Sequence, residues 1–365
     1  MVKLSNYHIY KLDIPLKRPF ITSIRTSNNL VGIFYQVELS DGSIGYGESA
    51  ENIKLTGETR EDMYQFSDYF FTAHLQKEIE DTLIDLQELE SNGAARYGME
   101  TAILDAVAKT KSIEISDELD LSLGNRVLEN DTTISLLGDD ETILETKRVL
   151  KRGYQHIKYK VDNGDSEIQR IVQLEKIIPD DVSIRLDPNQ SWTYQETIDA
   201  IKTFDDSSLN VEFIEQPVKA SMYEEMRKIS FKTTIPIIAD ESVFNLTDAK
   251  NVIENGYGTA INIKLIKCGG PLEAIEIANY AKRKEVDCLF GCTTESNVAM
   301  TIASYLSDGL SNVKYIDLDG LDYISDSPFI GGVEDKKGLI MLPQQDMGLG
   351  IDLLKNKANK YITEF

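Results

Sequence analysis

The chain has 365 residues, 41% of them hydrophobic and 27% charged, the balance of a folded protein with a sizeable core. A net charge of −23 and a pI near 4.6 give a surface that repels phosphate backbones, so nucleic acid is excluded as an expected partner. No apolar run approaches the ~20 residues of a membrane span. The opening MVKLSNYHIYKLDIPL has no apolar signal core, and Cys268, Cys288 and Cys292 form no CxxC pair, so a reducing cytoplasm is expected, with no membrane partner.

In chain order, NYHIYKLDIPLKRPF and LVGIFYQVELSDGSIGYGES alternate with period 2 around an SDG turn, which predicts antiparallel strands. ETREDMYQFSDYFFTAHLQ and GAARYGMETAILDAVAKTKS then carry helical periodicity. Residues 1–125 read as a separate α+β domain. From about residue 130, β-branched runs alternate with amphipathic stretches such as ETILETKRVLKRG and PLEAIEIANYAKRKE. The runs are TTISLLG, HIKYKV, SIRLDPN, VEFIEQP, PIIADES, TAINIKL, DCLFGC and VKYIDLDG. Strands separated by helices pair in parallel through right-handed crossovers. An open doubly wound sheet is the alternative, but repeated units of similar length favour a closed barrel over 126–329. The segment 330–365 has no barrel unit of its own and is expected to return to the first domain.

In a parallel barrel the C-terminal strand ends carry the chemistry. Those ends hold Lys158 and Lys160, then Asp187, Glu215, Asp240, Lys264, and finally Asp317 with Asp319. Singly, each reads as a helix cap, a turn former or a solvated rim charge. In register they place three carboxylates on adjacent strands with lysines on either side. Converging carboxylates repel unless a cation sits among them, and oxygen ligands without His or Cys select Mg²⁺ or a similar ion. In KYK, period 2 puts Lys158 and Lys160 on one face, beside that cluster. A lysine base works best with a pKa near ~7–8, about 3 units below its free value, and a neighbouring ammonium and a cation both push it there.

These residues identify the chain as resembling the enolase superfamily, specifically the muconate lactonizing subgroup. The motifs are KYK at 158–160, LDPNQ at 186–190, EQP at 215–217, ADES at 239–242 and NIKLIKCGG at 262–270. The resemblance spans essentially the whole chain and implies a capping domain on a (β/α)7β barrel, a modified TIM barrel. It implies one Mg²⁺ held by Asp187, Glu215 and Asp240, acid/base roles for Lys160 and Lys264, and an enolate stabilised by Lys158. The DLDG stretch at 317–320 is similar to the D-x-D motif with which dipeptide epimerases bind a substrate's α-ammonium group, through Asp317 and Asp319. The resemblance also places Arg25 over the site, against the side-chain carboxylate of a C-terminal Glu, and lines the pocket with Thr133, Cys292 and Thr294. The expected activity is dipeptide epimerisation, with Ala-Glu as substrate and murein peptide metabolism as setting. N-acylamino acid racemase, o-succinylbenzoate synthase and muconate cycloisomerase are the rivals within the superfamily, and a non-catalytic metal-binding scaffold is the rival outside it. A homo-oligomer is expected. His156, Cys268 and Cys288 read as core residues, Trp192 as packing at the top of a helix, Glu241 and Asn189 as supports for the ligands, and Gly269 and Gly270 as turn formers.

Overall fold

The structure is a computed structural model and describes residues 2–22, 26–162 and 165–365. It begins with β1 (Leu4–Ile21), β2 (Thr26–Leu39) and β3 (Ile44–Ala50), which pair antiparallel in that order. Five helices follow: α1 (Ile53–Thr56), α2 (Arg60–His74), α3 (Ile79–Gln87), α4 (Gly93–Lys111) and α5 (Ile115–Glu118). Thr59 and Asp62 form a capping box that starts α2. From Ala94 to Ala108, α4 is buried on every face. Glycine makes that possible, because a Cβ on Gly47 would stand 1.9 Å from the Gly98 carbonyl oxygen.

The chain then crosses β4 (Val127–Glu129) and enters the repeat. Its first half runs β5 (Asp131–Ile134), α6 (Asp139–Arg152), β6 (His156–Lys160), α7 (Asp165–Gln173), β7 (Ser183–Asp187), α8 (Tyr194–Asp205), β8 (Asn210–Glu215) and α9 (Tyr223–Ser230). The second half runs β9 (Ile237–Ala239), α10 (Leu246–Asn255), β10 (Ala260–Ile263), α11 (Leu265–Cys268), α12 (Pro271–Arg283), β11 (Asp287–Gly291), α13 (Asn297–Gly309), β12 (Val313–Asp317) and α14 (Gly320–Tyr323). The eight strands β5–β12 pair in parallel in sequence order. The two ends of the sheet meet: Leu318 N–H donates to Asn130 Oδ1 at 2.9 Å, and Thr133 N–H to Asp319 Oδ2 at 2.7 Å. The expected barrel is therefore present, and the open sheet is not. Phe213, Ile238, Ala260, Leu289 and Tyr315, one from each of β8–β12, form a buried apolar cluster of their own inside it.

The remaining elements are β13 (Phe329–Gly331), β14 (Glu334–Lys336), β15 (Leu339–Met341), β16 (Ile351–Leu353), α15 (Lys355–Tyr361) and β17 (Ile362–Glu364). β17 pairs antiparallel with β1, and β15 with β4. Glu48 on β3 joins the first sheet to the barrel: its carboxylate accepts from the Ser296 N–H at 2.8 Å, from the Ser296 hydroxyl and from the Ala299 N–H at 3.4 Å, at the start of α13. Among the described residues, no helix is long and apolar enough to cross a membrane.

Candidate active site

The C-terminal ends of β6 to β10 build the site. β6 ends on Lys158 and Lys160, β7 on Asp187 and β8 on Glu215, while Asp240 and Lys264 directly follow β9 and β10. Asp187 is set by its own turn, its Oδ1 accepting the Asn189 N–H at 2.9 Å. Past β8, Gln216 takes φ +34 and turns its Oε1 to the N–H groups of Asp240 (2.9 Å) and Ser242 (3.2 Å). Asn189 and Gln190, at φ +46 and +69, concentrate further strained backbone at the same rim.

Asp187, Glu215 and Asp240 are almost wholly buried. Lys158 Nζ lies 2.6 Å from Glu215 Oε2, 3.0 Å from Asp187 Oδ2 and 2.6 Å from Asp317 Oδ2. Lys160 reaches Asp187 at 2.5 Å, and Lys264 reaches Asp240 at 2.5 Å and Glu215 at 3.8 Å. Burial alone would neutralise Lys158 and Lys264, but the facing carboxylates push both above the ordinary lysine value. Burial likewise pushes the acids up, yet the lysines hold Asp187 and Asp240 below the usual carboxylate range. Glu215 goes the other way, raised to about 7 by burial and by its Asp187 neighbour. The Lys158 and Lys264 charges are thus held by carboxylates rather than depressed toward neutrality.

The donor set fits a hard divalent cation. Three buried carboxylates on adjacent strand ends, bridged by Lys158 and Lys264, offer oxygen donors, and beside them the Glu241 Oε2 and Asn189 Oδ1 atoms are buried with no hydrogen-bond partner among the described residues.

A pocket opens above, lined by Lys158, Lys160 and Lys264 together with Thr133, Cys292, Thr294, Asp317 and Asp319, as well as Asp240 and Glu241. Asp187 and Glu215 are not among its lining residues. Asp317 and Asp319 face this pocket from the end of β12 and the turn after it. The Asp317 carboxyl, which burial would raise, is lowered by Lys158, Lys160 and Lys264. Asp319 is raised to about 6 by burial and by Asp317, with Cys292 Sγ 4.0 Å from its Oδ1. Arg25 lies outside the described residues. His156 sits lower on β6, bonded through Nδ1 to Ser183 Oγ at 2.7 Å. Trp192 is buried and donates to the Asp162 carbonyl, Cys268 and Cys288 are buried, and Gly269 is held at φ +89 where a Cβ would meet Arg96 at 2.0 Å.

The sequence reading missed several contributors. Lys267 is buried on α11, and its Nζ donates to Asp240 Oδ1 (2.6 Å), the Asp240 carbonyl (2.6 Å) and the Asn262 carbonyl (3.1 Å). Asn262, two residues before Lys264, donates to Glu215 Oε1 at 2.7 Å. Period 2 along NIK was the available signal for Asn262; nothing in LIKC marks Lys267 as more than a helix lysine. Phe20 and Tyr323 also line the pocket, meeting edge to face at 5.1 Å.

Residues 141–357 match the family model described as Enolase C-terminal domain-like. An L-Ala-D/L-Glu epimerase of Francisella tularensis subsp. novicida is 33% identical over 333 residues, 89% of this chain and 92% of that protein. The structure of a substrate-liganded complex of the L-Ala-D/L-Glu epimerase from Bacillus subtilis superposes with a TM-score of 0.91 at 29% identity, over 96% of this chain and 98% of that one. A dipeptide epimerase from Enterococcus faecalis V583, solved with Mg and the dipeptide L-Leu-L-Tyr, gives 0.89 at 27% identity, over 96% and 99%. With the barrel, the flanking lysines and the three strand-end carboxylates already in place, these matches show that the chain belongs to the enolase superfamily, with an enolase C-terminal domain-like barrel.

Proposed function

We propose that the chain is a Mg²⁺-dependent dipeptide epimerase that inverts the α-carbon of the C-terminal residue, with Ala-Glu as the first substrate to test. The observation that carries this reading is the Asp317–Asp319 pair on the wall of a pocket that also holds Lys160 and Lys264. Two carboxylates suit a free α-ammonium group, which an N-acylated amino acid lacks. An N-acyl substrate with an uncharged side chain offers that pair no cation.

Asp187, Glu215 and Asp240 would hold the ion, which supplies positive charge for the substrate carboxylate. The chain's own groups do the rest. Lys160 and Lys264 come from strands on opposite sides of the three carboxylate strands, so one removes the α-proton and the other returns a proton to the opposite face. The Lys158 ammonium faces the negative charge that develops on the carboxylate oxygens. Arg25 would pair with a C-terminal Glu side chain. Residues 1–125 with 330–365 would cap the barrel of 126–329, and the enzyme would work as a homo-oligomer in cytoplasmic murein-peptide turnover.

A dipeptide library in heavy water, read by mass gain, tests the activity without choosing a product beforehand. N-acetyl-Ala-Glu should then fall about 10²–10³-fold below Ala-Glu in kcat/KM, since acetylation removes the cation that the Asp317–Asp319 pair would hold in a partly desolvated site. Equal turnover of the two would make the chain an N-acylamino acid racemase.

A further inference from the structure

Before Phe20, β1 leaves its own sheet. Pro15 pairs with Asn29 and Phe20 with Ser27, so residues 16–19 oppose Asn28 alone. A bulge of that size bends a strand away from its partner. The end of β1 turns onto the barrel, where Ile21 N–H donates to Ser135 Oγ at 3.2 Å and Leu136 N–H to the Ile21 carbonyl at 3.2 Å. Within the bulge, Arg18 Nη2 donates to Asp322 Oδ2 at 2.8 Å, and its guanidinium lies 4.2 Å from the centre of the Tyr323 ring. Asp322 is buried and tied to the barrel: Thr132 Oγ1 donates to its Oδ2 at 3.0 Å and Arg152 Nη2 to its Oδ1 at 2.5 Å. Burial would raise that carboxyl, yet the hydrogen bonds from Arg152 and Arg18 hold it well below the usual carboxylate range. The acceptor is fixed and ionised, and Arg18 is the part that can let go.

Phe20, just beyond the bulge, packs edge to face on Tyr323 at 5.1 Å, and its ring centre stands 5.9 Å from Lys160 Nζ. Cation–π attraction is at its outer limit there, so the ring acts chiefly by keeping water from the ammonium. The Lys160 side chain is only 8% exposed, although it ends a strand at the pocket. Lys264 lies on the far side of the carboxylate strands. We propose that Arg18 and Asp322 are a positioning pair for one of the two proton transfers: their ion pair latches Phe20 over Lys160 and leaves the Lys264 face untouched. The inference rests on the two-lysine reading above and adds to it two residues that do not line the pocket.

The test replaces Arg18 with Met. Asp322 keeps Arg152 and Thr132, so no buried charge is orphaned and the fold should survive. Exchange of the α-proton in heavy water is then read separately for the two epimers of Ala-Glu, and Lys160→Ala identifies the epimer whose proton Lys160 removes. That epimer should exchange at least about tenfold more slowly in Arg18→Met than in the parent, the worth of one hydrogen bond to a charged group. The epimer that Lys264 serves should keep its parental rate, and Arg18→Lys, which retains a charged donor, should recover part of the loss. Equal slowing of both epimers would make Arg18 only structural and overturn the proposal, with the epimerase reading intact. Amide exchange of the peptide over residues 16–22 gives a readout that needs no turnover. It should quicken at least about tenfold in Arg18→Met while the barrel helices stay protected. Unchanged protection of that peptide also overturns the latch. Should Arg18→Met not fold, Phe20→Leu must show the same one-epimer loss, and slowing of both epimers or of neither overturns the proposal. A parent enzyme that exchanges no dipeptide α-proton fails the functional reading itself, and the role at Lys160 falls with it.

Discussion

At the scale of single residues, the two lysines that flank the carboxylates have distinguishable roles. If Lys160 and Lys264 serve opposite faces of the α-carbon, Lys160→Ala and Lys264→Ala should each abolish net epimerisation. Each should still exchange the α-proton of one epimer with heavy water, and the two variants should choose opposite epimers. Loss from the same epimer in both would place the lysines on one face. Lys267 offers a second test. Its ammonium satisfies one Asp240 oxygen and two backbone carbonyls in a fully enclosed position. Lys267→Met leaves those acceptors without a donor, so urea unfolding should show a loss of about 3–5 kcal/mol. A loss under about 1 kcal/mol would mean that another group takes over the Asp240 oxygen. Legibility at this scale follows periodicity. Lys158, Lys160, Asp187, Glu215, Asp240 and Lys264 stand at matching points of a repeat, so position alone separates them from surface charge. Lys267 has no such register, because its helix turns it back under Asp240.

At the scale of elements, the contact between β3 and α13 carries a titratable group. Glu48 closes the start of α13 from the other sheet, and burial raises its carboxyl to about 7. A carboxyl whose folded pKa exceeds its unfolded value of 4.5 binds more protons in the folded state. Its contribution is therefore present below pH 4.5 and is lost as pH rises toward 7. Glu100, also raised to about 7 by burial, adds to the same trend. Glu48→Gln should flatten the fall of stability between pH 4.5 and 7 by up to about 3 kcal/mol, measured by denaturant unfolding across that range. A profile as steep as the parent's would assign the titration elsewhere. None of this is visible in GYGES, where Glu48 reads as a rim charge on a hairpin; its partners are some 250 residues away. The same distance hides Phe20 and Tyr323, which become pocket walls only because the end of β1 docks on α14, where Asp322 accepts from Arg18 at 2.8 Å.

For the molecule as a whole, the proposed cation binding couples to folding. An ion that binds the folded chain at 100 times its Kd adds about 2.7 kcal/mol of stability. Saturating Mg²⁺ should accordingly raise the Tm by several degrees over the same protein in chelator, and chelator should abolish epimerisation. An unchanged Tm together with full activity in chelator would remove the metal from the mechanism. The barrel was legible because eight short apolar runs alternate with amphipathic helices, a pattern that few architectures satisfy. What the pattern could not give was how the flanking strands meet, since those pairings join segments at opposite ends of the chain.

The pairing of β17 with β1, which sets Tyr10, Lys11 and Leu12 against Glu364, Thr363 and Ile362, also fixes an order of events during synthesis. At roughly 5–20 residues per second, β1 leaves the ribosome about 20–70 s before its edge partner exists. Until then the nascent chain presents an open strand edge to whatever lies nearby. The barrel can close behind it, but the first sheet must wait for residue 364.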